Sequence, residues 1–265
     1  MDILLALTLG LIEGLTEFLP VSSTGHLILA GHFFSFTGPK AATFEIVIQL
    51  GAILSVVVLY RRRFFILIPG RTGPRPAFSG WRGLWLLFLT SLPAAVLGLL
   101  VHDFIKARLF NPQTVAWALG VGAVAMILVE FRKTAARSVE IDQLTPAQAL
   151  GIGMFQCFSL WPGFSRSAAT IMGGMVLGAD RRVAAEYSFL AAVPIMVAAT
   201  GFDLYNCLDL LSAADLPFFA AGFAASFISA LLAVKIFIRL VGRMSLRPFA
   251  YYRLVLAPLV LYFWL

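Results

Sequence analysis

The segment EGLTEFLPVSSTGH, residues 13–26, places two carboxylates, a proline, a run of three hydroxyl side chains and a histidine in an otherwise apolar part of the chain. Proline disfavours helical backbone in the residue before it, so an apolar helix over about 2–19 is expected to end at Pro20. The hydroxyl residues at 22–24 can cap a second helix over about 22–36. Because a spanning helix needs roughly 20 apolar residues, we predict a helix–break–helix hairpin that dips into a membrane, with its irregular backbone buried in protein or lining a wet cavity.

The composition is that of a membrane protein. Of the 265 residues, 60% are hydrophobic and 12% are charged, against about 25% charged residues in soluble domains. Backbone in lipid must satisfy its own hydrogen bonds, so the predicted fold class is all-α, a polytopic integral membrane protein. The formal net charge of +7 comes from arginines at the ends of apolar runs, which indicates membrane topology and argues against nucleic acid as a partner.

The remaining apolar runs predict a second re-entrant hairpin and six transmembrane helices. The hairpin is a helix over about 146–161, a break at Pro162-Gly163 and a short helix over about 165–178. Runs of roughly 20 apolar residues, long enough to span a bilayer, lie at about 41–60, 83–105, 111–131, 182–205, 215–240 and 247–265.

The order of these elements predicts an inverted internal repeat. Each half holds one hairpin and three spans, and because three is odd, the second half must enter the membrane from the opposite side. In such repeats, binding sites lie near the bilayer midplane where broken helices meet. The single membrane domain, 1–265, then divides into repeat 1 at about 1–133, a cytoplasmic linker at about 134–145 and repeat 2 at about 146–265.

Lysine and arginine in the short loops set the orientation. The loops at 61–82 and 132–146 are rich in arginine, whereas the loop at 203–215 contains three aspartates and neither lysine nor arginine. We therefore expect the arginine-rich loops in the cytoplasm and the opening of the first hairpin on the outer side.

Glu13 and Glu17 are four residues apart, so they lie one turn apart on the same helix face. Carboxylates within a membrane segment are costly and indicate function by default. Together they could hold a divalent cation, Mg²⁺ or Ca²⁺, through hard oxygen ligands. One of them could instead act as a general acid or base, or the two could form a structural pair within the bundle.

The hydroxyl run ends close to a histidine. Ser22, Ser23 and Thr24 supply possible nucleophiles, and His26 supplies a base within one turn, as a serine needs for attack at neutral pH. His26 could also be the nucleophile itself. The simpler interpretation is a hydroxyl-rich helix cap beside a histidine with satisfied hydrogen bonds.

The second break begins a helix with the sequence Ser165-Arg166-Ser167. A helix N-terminus presents free N–H groups and the positive end of a dipole, which together bind anions. Arg166 adds a forked donor that suits phosphate oxygens. Ser165, Ser167 and Thr170 could add donors or serve only as caps, and Arg166 could simply pair with a glutamate.

These two motifs resemble the signatures of the undecaprenyl-diphosphate phosphatase family linked to bacitracin resistance. Residues 13–26 resemble the first signature, residues 162–170 the second, and FEIVIQLG at 44–51 matches as well. The resemblance implies an enzyme of the bacterial inner membrane that uses a divalent cation and faces the periplasm or cell exterior. It would convert undecaprenyl diphosphate to undecaprenyl phosphate, the lipid carrier for peptidoglycan precursors, and so confer bacitracin resistance.

For such a reaction, Glu13 and Glu17 would bind the metal, or one of them would steer a proton. Ser23 or His26 would attack, or His26 would activate water, and the favoured assignment is Ser23 as nucleophile with assistance from His26. The phosphate would be held by residues at the two breaks, namely Ser22, Thr24, Ser165, Arg166, Ser167 and Thr170. The alternative is a transporter or flippase of an anionic lipid or solute, because inverted repeats with broken helices are common in transporters. A homo-oligomer is compatible with either function.

Overall fold

The computed structural model describes residues 2–70, 76–109, 111–131, 137–206 and 212–264, and the regular elements of these residues are helices. The first half contains α1 (Ile3–Thr16), α2 (Ser23–Phe33), α3 (Pro39–Leu59), α4 (Arg61–Leu67), α5 (Gly80–Leu100), the short α6 (His102–Phe104) and α7 (Pro112–Phe131). The second half contains α8 (Pro146–Gln156), α9 (Arg166–Val176), α10 (Arg181–Asn206), α11 (Leu216–Val241) and α12 (Arg247–Trp264). The all-α prediction is confirmed.

Several predicted boundaries needed correction. The first helix ends at Thr16 rather than 19, because turns at 17–21 already lead into the proline break. The predicted helix over 146–161 ends as α8 at Gln156, and a tighter 3-10 turn, Cys157–Leu160, completes it.

Two further corrections concern the first half. The arginine-rich loop after α3 is partly helical, since α4 restarts the chain at Arg61 after Tyr60 leaves helical geometry. The predicted span 83–105 begins earlier, at Gly80, and ends at Leu100. It is followed by α6 and a π-helical turn, Ile105–Leu109.

Five helices in the described part of the chain are long and apolar enough to cross a membrane: Pro39–Leu59, Gly80–Leu100, Pro112–Phe131, Arg181–Tyr205 and Leu216–Val241. The sixth predicted span forms α12, which carries Arg247 and Arg253 and is not among the five. The multi-pass prediction is therefore confirmed, whereas the count of six spans stays a prediction.

Helices at equivalent positions in the two halves pack against equivalent partners. α1 packs along α11, and its counterpart α8 packs along α5. Likewise α2 contacts α12 while α9 contacts α7, and the pairs α3–α10 and α7–α12 contact each other directly. The predicted inverted repeat would produce this pattern. The limits of the repeats and of the linker, and their orientation in a bilayer, stay predictions.

The arginine-rich loops meet at one end of the bundle. Arg63 Nη1 lies 3.7 Å from Asp142 Oδ2 in the loop before α8. At the end of α7, Glu130 accepts two hydrogen bonds from Arg181 at 3.0 and 2.8 Å, and one from the backbone N–H of Leu246 at 2.8 Å. The loops that were predicted to share one side of the membrane are therefore adjacent.

Another ion pair joins the first turn of α3 to the start of α11. Lys40 donates a hydrogen bond to Asp215, which also accepts one from the Ser212 hydroxyl. These hydrogen bonds lower the pKa of the Asp215 carboxyl. This contact joins α3 of the first half to the start of α11 in the second half.

Candidate active site

Both helix breaks have the same unusual backbone. Ser22 (φ 71°) and Ser165 (φ 76°) are two of the three non-glycine residues with positive φ in the described part of the chain. Each is the N-cap of an 11-residue helix, accepting a hydrogen bond from Gly25 N at 3.4 Å and from Ala168 N at 3.3 Å, respectively. Strained backbone of this kind is typical of functional sites.

An aromatic side chain anchors each break in the main apolar core. Phe18 is fully buried in the first break and Phe164 is 4% exposed in the second. Each aromatic removes apolar surface from solvent, so the polar residues beside it are held on rigid backbone.

A polar cavity of about 180 Å³ lies between the two breaks. The predicted site residues that line it are Glu17, Ser22, Ser23, Thr24, Ser165 and Arg166. They come from both halves of the chain, so the cavity exists only where the halves meet.

Glu17 is at the centre of this arrangement. Its Oε2 accepts a 2.6 Å hydrogen bond from the Ser23 hydroxyl, and its Oε1 accepts a 3.0 Å bond from Arg166 Nη2. Glu17 is 8% exposed and Ser23 is 9% exposed. A short hydrogen bond from a hydroxyl to a carboxylate is the geometry in which a base activates a nucleophile.

Arg166 is held from several directions. Its Nη1 donates to the backbone oxygen of Ser188 at 3.3 Å, and its guanidinium lies 5.3 Å from the centre of the Phe18 ring. The Nε–H group is buried and has no partner within the described residues. One N–H of the fixed guanidinium therefore has no protein partner, and the Arg166 side chain lines the cavity, where a guanidinium suits an oxyanion.

Ser167 and Thr170 do not line the cavity. The Ser167 hydroxyl donates to the backbone oxygen of Leu19 at 2.8 Å and so joins the second break to the first. Thr170 bonds to the backbone oxygen of Arg166 at 2.9 Å and lies 2.6 Å from the Ser188 hydroxyl. They support the residues that line the cavity, because helix rotation turns both hydroxyls into the protein.

His26 also lies apart from Ser23, contrary to the predicted nucleophile–base pair. Its Nδ1 is 2.8 Å from the backbone oxygen of Ser22, and its Nε2 bonds to the Tyr252 hydroxyl. The imidazole lines a separate apolar groove of about 570 Å³ instead of the polar cavity. Glu17, which accepts the Ser23 hydrogen bond, occupies the position expected of the base.

Glu13 lies one turn behind Glu17. It is 1% exposed, and its Oε1 has no hydrogen-bond partner within the described residues. It interacts electrostatically with Glu17, Glu45 and Arg166. The described residues contain no group of three or more His, Cys, Asp or Glu side chains at metal-binding spacing. An orphaned carboxylate oxygen next to a second carboxylate still fits Mg²⁺ or Ca²⁺, since water and phosphate can complete the shell of hard oxygen ligands.

Several described residues contribute to the site without having been predicted. Phe18 lies against the Arg166 guanidinium, Ser188 accepts its hydrogen bond, and Tyr252 fixes His26. Gln49, in α3, also lines the cavity. Ser188 could have been identified as a polar residue within the apolar span of α10. Tyr252 could not be distinguished from an interfacial tyrosine.

The fold and site together define an all-α polytopic membrane protein in which two broken helices enclose a carboxylate, a hydroxyl and a guanidinium. A family model described as bacitracin resistance protein BacA matches residues 6–259, and the chain belongs to this family. A Maridesulfovibrio salexigens protein named undecaprenyl-diphosphatase is 66% identical over 259 residues, which cover 98% of this chain and 97% of the relative. Proteins of the same name from Nitratidesulfovibrio vulgaris (strain DP4) and Lawsonia intracellularis are 66% and 55% identical, covering 99% and 95% of this chain and 98% and 94% of theirs.

Proposed function

We propose that this chain hydrolyses undecaprenyl diphosphate to undecaprenyl phosphate and inorganic phosphate, and that it thereby recycles the lipid carrier for peptidoglycan synthesis and gives bacitracin resistance. The observation that carries the proposal is Glu17, which accepts one hydrogen bond from the Ser23 hydroxyl and another from Arg166 in a cavity between the two breaks. Membership of the BacA family and the name of the relatives support the same activity.

The reaction begins with the binding of the terminal phosphate. Arg166, with its free Nε–H, and the N–H groups at the start of α9 bind the phosphate oxygens. Ser22, Thr24 and Ser165 line the same cavity and contribute further polar contacts. Phosphoryl transfer depends mainly on such positioning and charge neutralisation.

Ser23 is the nucleophile in the proposed mechanism. As its oxygen forms a bond to the terminal phosphorus, its proton passes to Glu17 Oε2, and the bond from phosphorus to the bridging oxygen breaks. Undecaprenyl phosphate leaves, and water then hydrolyses the phosphoserine to inorganic phosphate. His26, which the sequence suggested as the assisting base, is hydrogen-bonded to the backbone oxygen of Ser22 instead.

The proposed cofactor is a divalent cation, Mg²⁺ or Ca²⁺. Glu13 Oε1 and the Glu17 carboxylate would hold it, and when bound it would neutralise charge on the phosphate oxygens. Independently of the cation, the two carboxylates repel any anion that is not also bound by Arg166. This repulsion favours a phosphate that is correctly placed against Arg166.

We further propose that the protein lies in the bacterial inner membrane with the cavity open to the periplasm or cell exterior. Arginine-rich loops are kept in the cytoplasm by the positive-inside rule, and these loops share one end of the bundle. The lipid tail would leave the cavity between helices. The apolar groove, whose lining includes Leu19 and Val21 of the first break, is large enough for several isoprene units.

Phosphate release by the purified full-length protein in detergent tests the activity. With undecaprenyl diphosphate and Mg²⁺ or Ca²⁺, the wild type should release inorganic phosphate, and an Arg166→Ala preparation made in the same way should not. Absence of release across several metals and pH values would contradict the proposal. Accumulation of intact lipid diphosphate in the opposite leaflet of proteoliposomes would then favour a transporter or flippase.

A further inference from the structure

Arg253, in α12, is the largest fully buried side chain in the described part of the chain. Its Nη2 donates to the backbone oxygens of Ala118 and Gly163, each at 3.1 Å. Within the described residues no carboxylate forms an ion pair with it. Burying a cation without a counter-ion is strongly unfavourable, whereas an apolar residue of similar size would pack at lower cost. Its presence therefore calls for a reason other than packing.

The carbonyl group of Gly163 belongs to the second helix break. Gly163 has φ 97° and lines the polar cavity, two residues before the N-cap Ser165. The adjacent Phe164 ring lies with its centre 6.0 Å from the Arg253 guanidinium. Arg253 thus contacts both the backbone and the aromatic anchor of the segment that leads into Arg166.

The neighbouring residue on α12 is connected to the other break. Tyr252 hydrogen-bonds to His26 Nε2, and His26 Nδ1 bonds to the backbone oxygen of Ser22. A carbonyl oxygen only accepts hydrogen bonds, so Nδ1 carries the proton and, in the neutral ring, Nε2 accepts from the tyrosine. Consecutive residues of α12 are therefore connected to a carbonyl group in each break, Arg253 directly and Tyr252 through His26.

We propose that Arg253 is a positioning residue that fixes Gly163 and thereby aligns Ser165 and Arg166 with Glu17 and Ser23. This inference rests on the proposed phosphatase function. Arginine suits the role because the two N–H groups of Nη2 are held in the plane of the guanidinium, one for each carbonyl oxygen, whereas the lysine ammonium is a compact charge on a flexible stem.

Measurements on Arg253→Met and Arg253→Lys separate positioning from packing. A displacement of about 1 Å can cost about 10²-fold in rate, so we expect kcat for undecaprenyl diphosphate to fall by about that factor in both variants. The rise in Tm produced by inorganic phosphate should also shrink, while the Tm without phosphate should not fall. Arg247→Met is a matched control on the same helix and should retain wild-type kcat.

Gly122 offers a test that leaves Arg253 in place. A Cβ added at Gly122, on α7, would collide with the Arg253 guanidinium, whereas one added at Gly120 would meet nothing within 4 Å. Gly122→Ala should therefore reproduce the losses of Arg253→Met in both kcat and the phosphate-induced Tm shift. Gly120→Ala should behave as wild type.

Three results would overturn the positioning role. The first is wild-type kcat in a folded Arg253→Met protein. The second is a loss of kcat that tracks a fall in Tm measured without phosphate. The third is a Gly122→Ala protein whose kcat and phosphate-induced Tm shift equal those of Gly120→Ala. This result is decisive if Arg253→Met does not fold. A wild type that releases no phosphate contradicts the proposed function instead, and the phosphate-induced Tm shift still tests the positioning.

Discussion

The two helix breaks share a backbone but differ in chemistry. Both place a serine with positive φ at the N-cap of an 11-residue helix and bury an aromatic residue nearby. The residue after the cap is Ser23 in the first break and Arg166 in the second. Both side chains bond to the same carboxylate, Glu17. One local structure used twice thus supplies a hydroxyl on one side and a guanidinium on the other.

This difference shows how a repeat can produce an asymmetric site. Two equal breaks would bring two hydroxyls or two cations together, and neither pair could both attack and bind a phosphate. The carboxylates Glu13 and Glu17 occur only before the first break, and Arg166 only in the second, so opposite charges meet.

Removing the guanidinium of the second break should have the largest effect. Loss of a phosphate-binding arginine in phosphoryl transfer costs about 10³ to 10⁵ in rate, and we expect Arg166→Ala to lower kcat by this amount with expression largely intact. Phosphate release by detergent-purified protein measures the change. Turnover within tenfold of wild type would contradict the phosphate-binding role.

Removing the hydroxyl of the first break should have the next largest effect. Ser23→Ala removes the nucleophile and the donor to Glu17, and we expect kcat to fall by about 10³-fold, since a water molecule is then less well placed. A phosphoenzyme trapped by rapid acid quench should be present in wild type and absent in Ser23→Ala. Ser165→Ala is the control from the second break and should retain the phosphoenzyme.

The carboxylates before the first break should control the cation requirement. Glu13→Gln keeps the side-chain size but removes a charged oxygen ligand. We expect the Mg²⁺ or Ca²⁺ concentration for half-maximal activity to rise by at least about 10-fold. Titration of each metal after chelation measures this rise. An unchanged titration curve for Glu13→Gln would mean that the metal binds elsewhere. Glu45→Gln, in α3, is the comparison variant.

The smallest expected effects concern the shared backbone. Replacing an N-cap serine by alanine typically costs about 0.5–2 kcal/mol of stability, and Ser22→Ala and Ser165→Ala should lower stability by similar amounts. Thermal unfolding of both variants in the same detergent measures this equivalence. A large loss in one variant only would show that the breaks are not structurally equivalent.

Much of the helical framework could be predicted from apolar run lengths and prolines. The spans at 182–205 and 215–240 appear as α10 and α11 within one residue at each end, because a long apolar run in lipid has few alternatives to a helix. Helix ends without proline or a cap were less predictable, as the early start of α5 at Gly80 shows.

The site was only partly predictable for a geometric reason. The motifs identified Glu17, Ser23 and Arg166, because charge and hydroxyls are costly in an apolar segment. They did not distinguish side chains that face the cavity from Ser167 and Thr170, which lie behind it.

The sequence by itself determined that two broken helices carry opposite charges within a membrane. Only the tertiary structure decided that Glu17, and not His26, contacts Ser23, and that Arg253 binds the backbone of the second break. Ser23 and His26 are three residues apart and lie near the same face of α2, yet Ser23 bonds to Glu17 and His26 bonds to Tyr252 of α12. Which partner each side chain meets depends on how distant helices pack, and local sequence does not encode that packing.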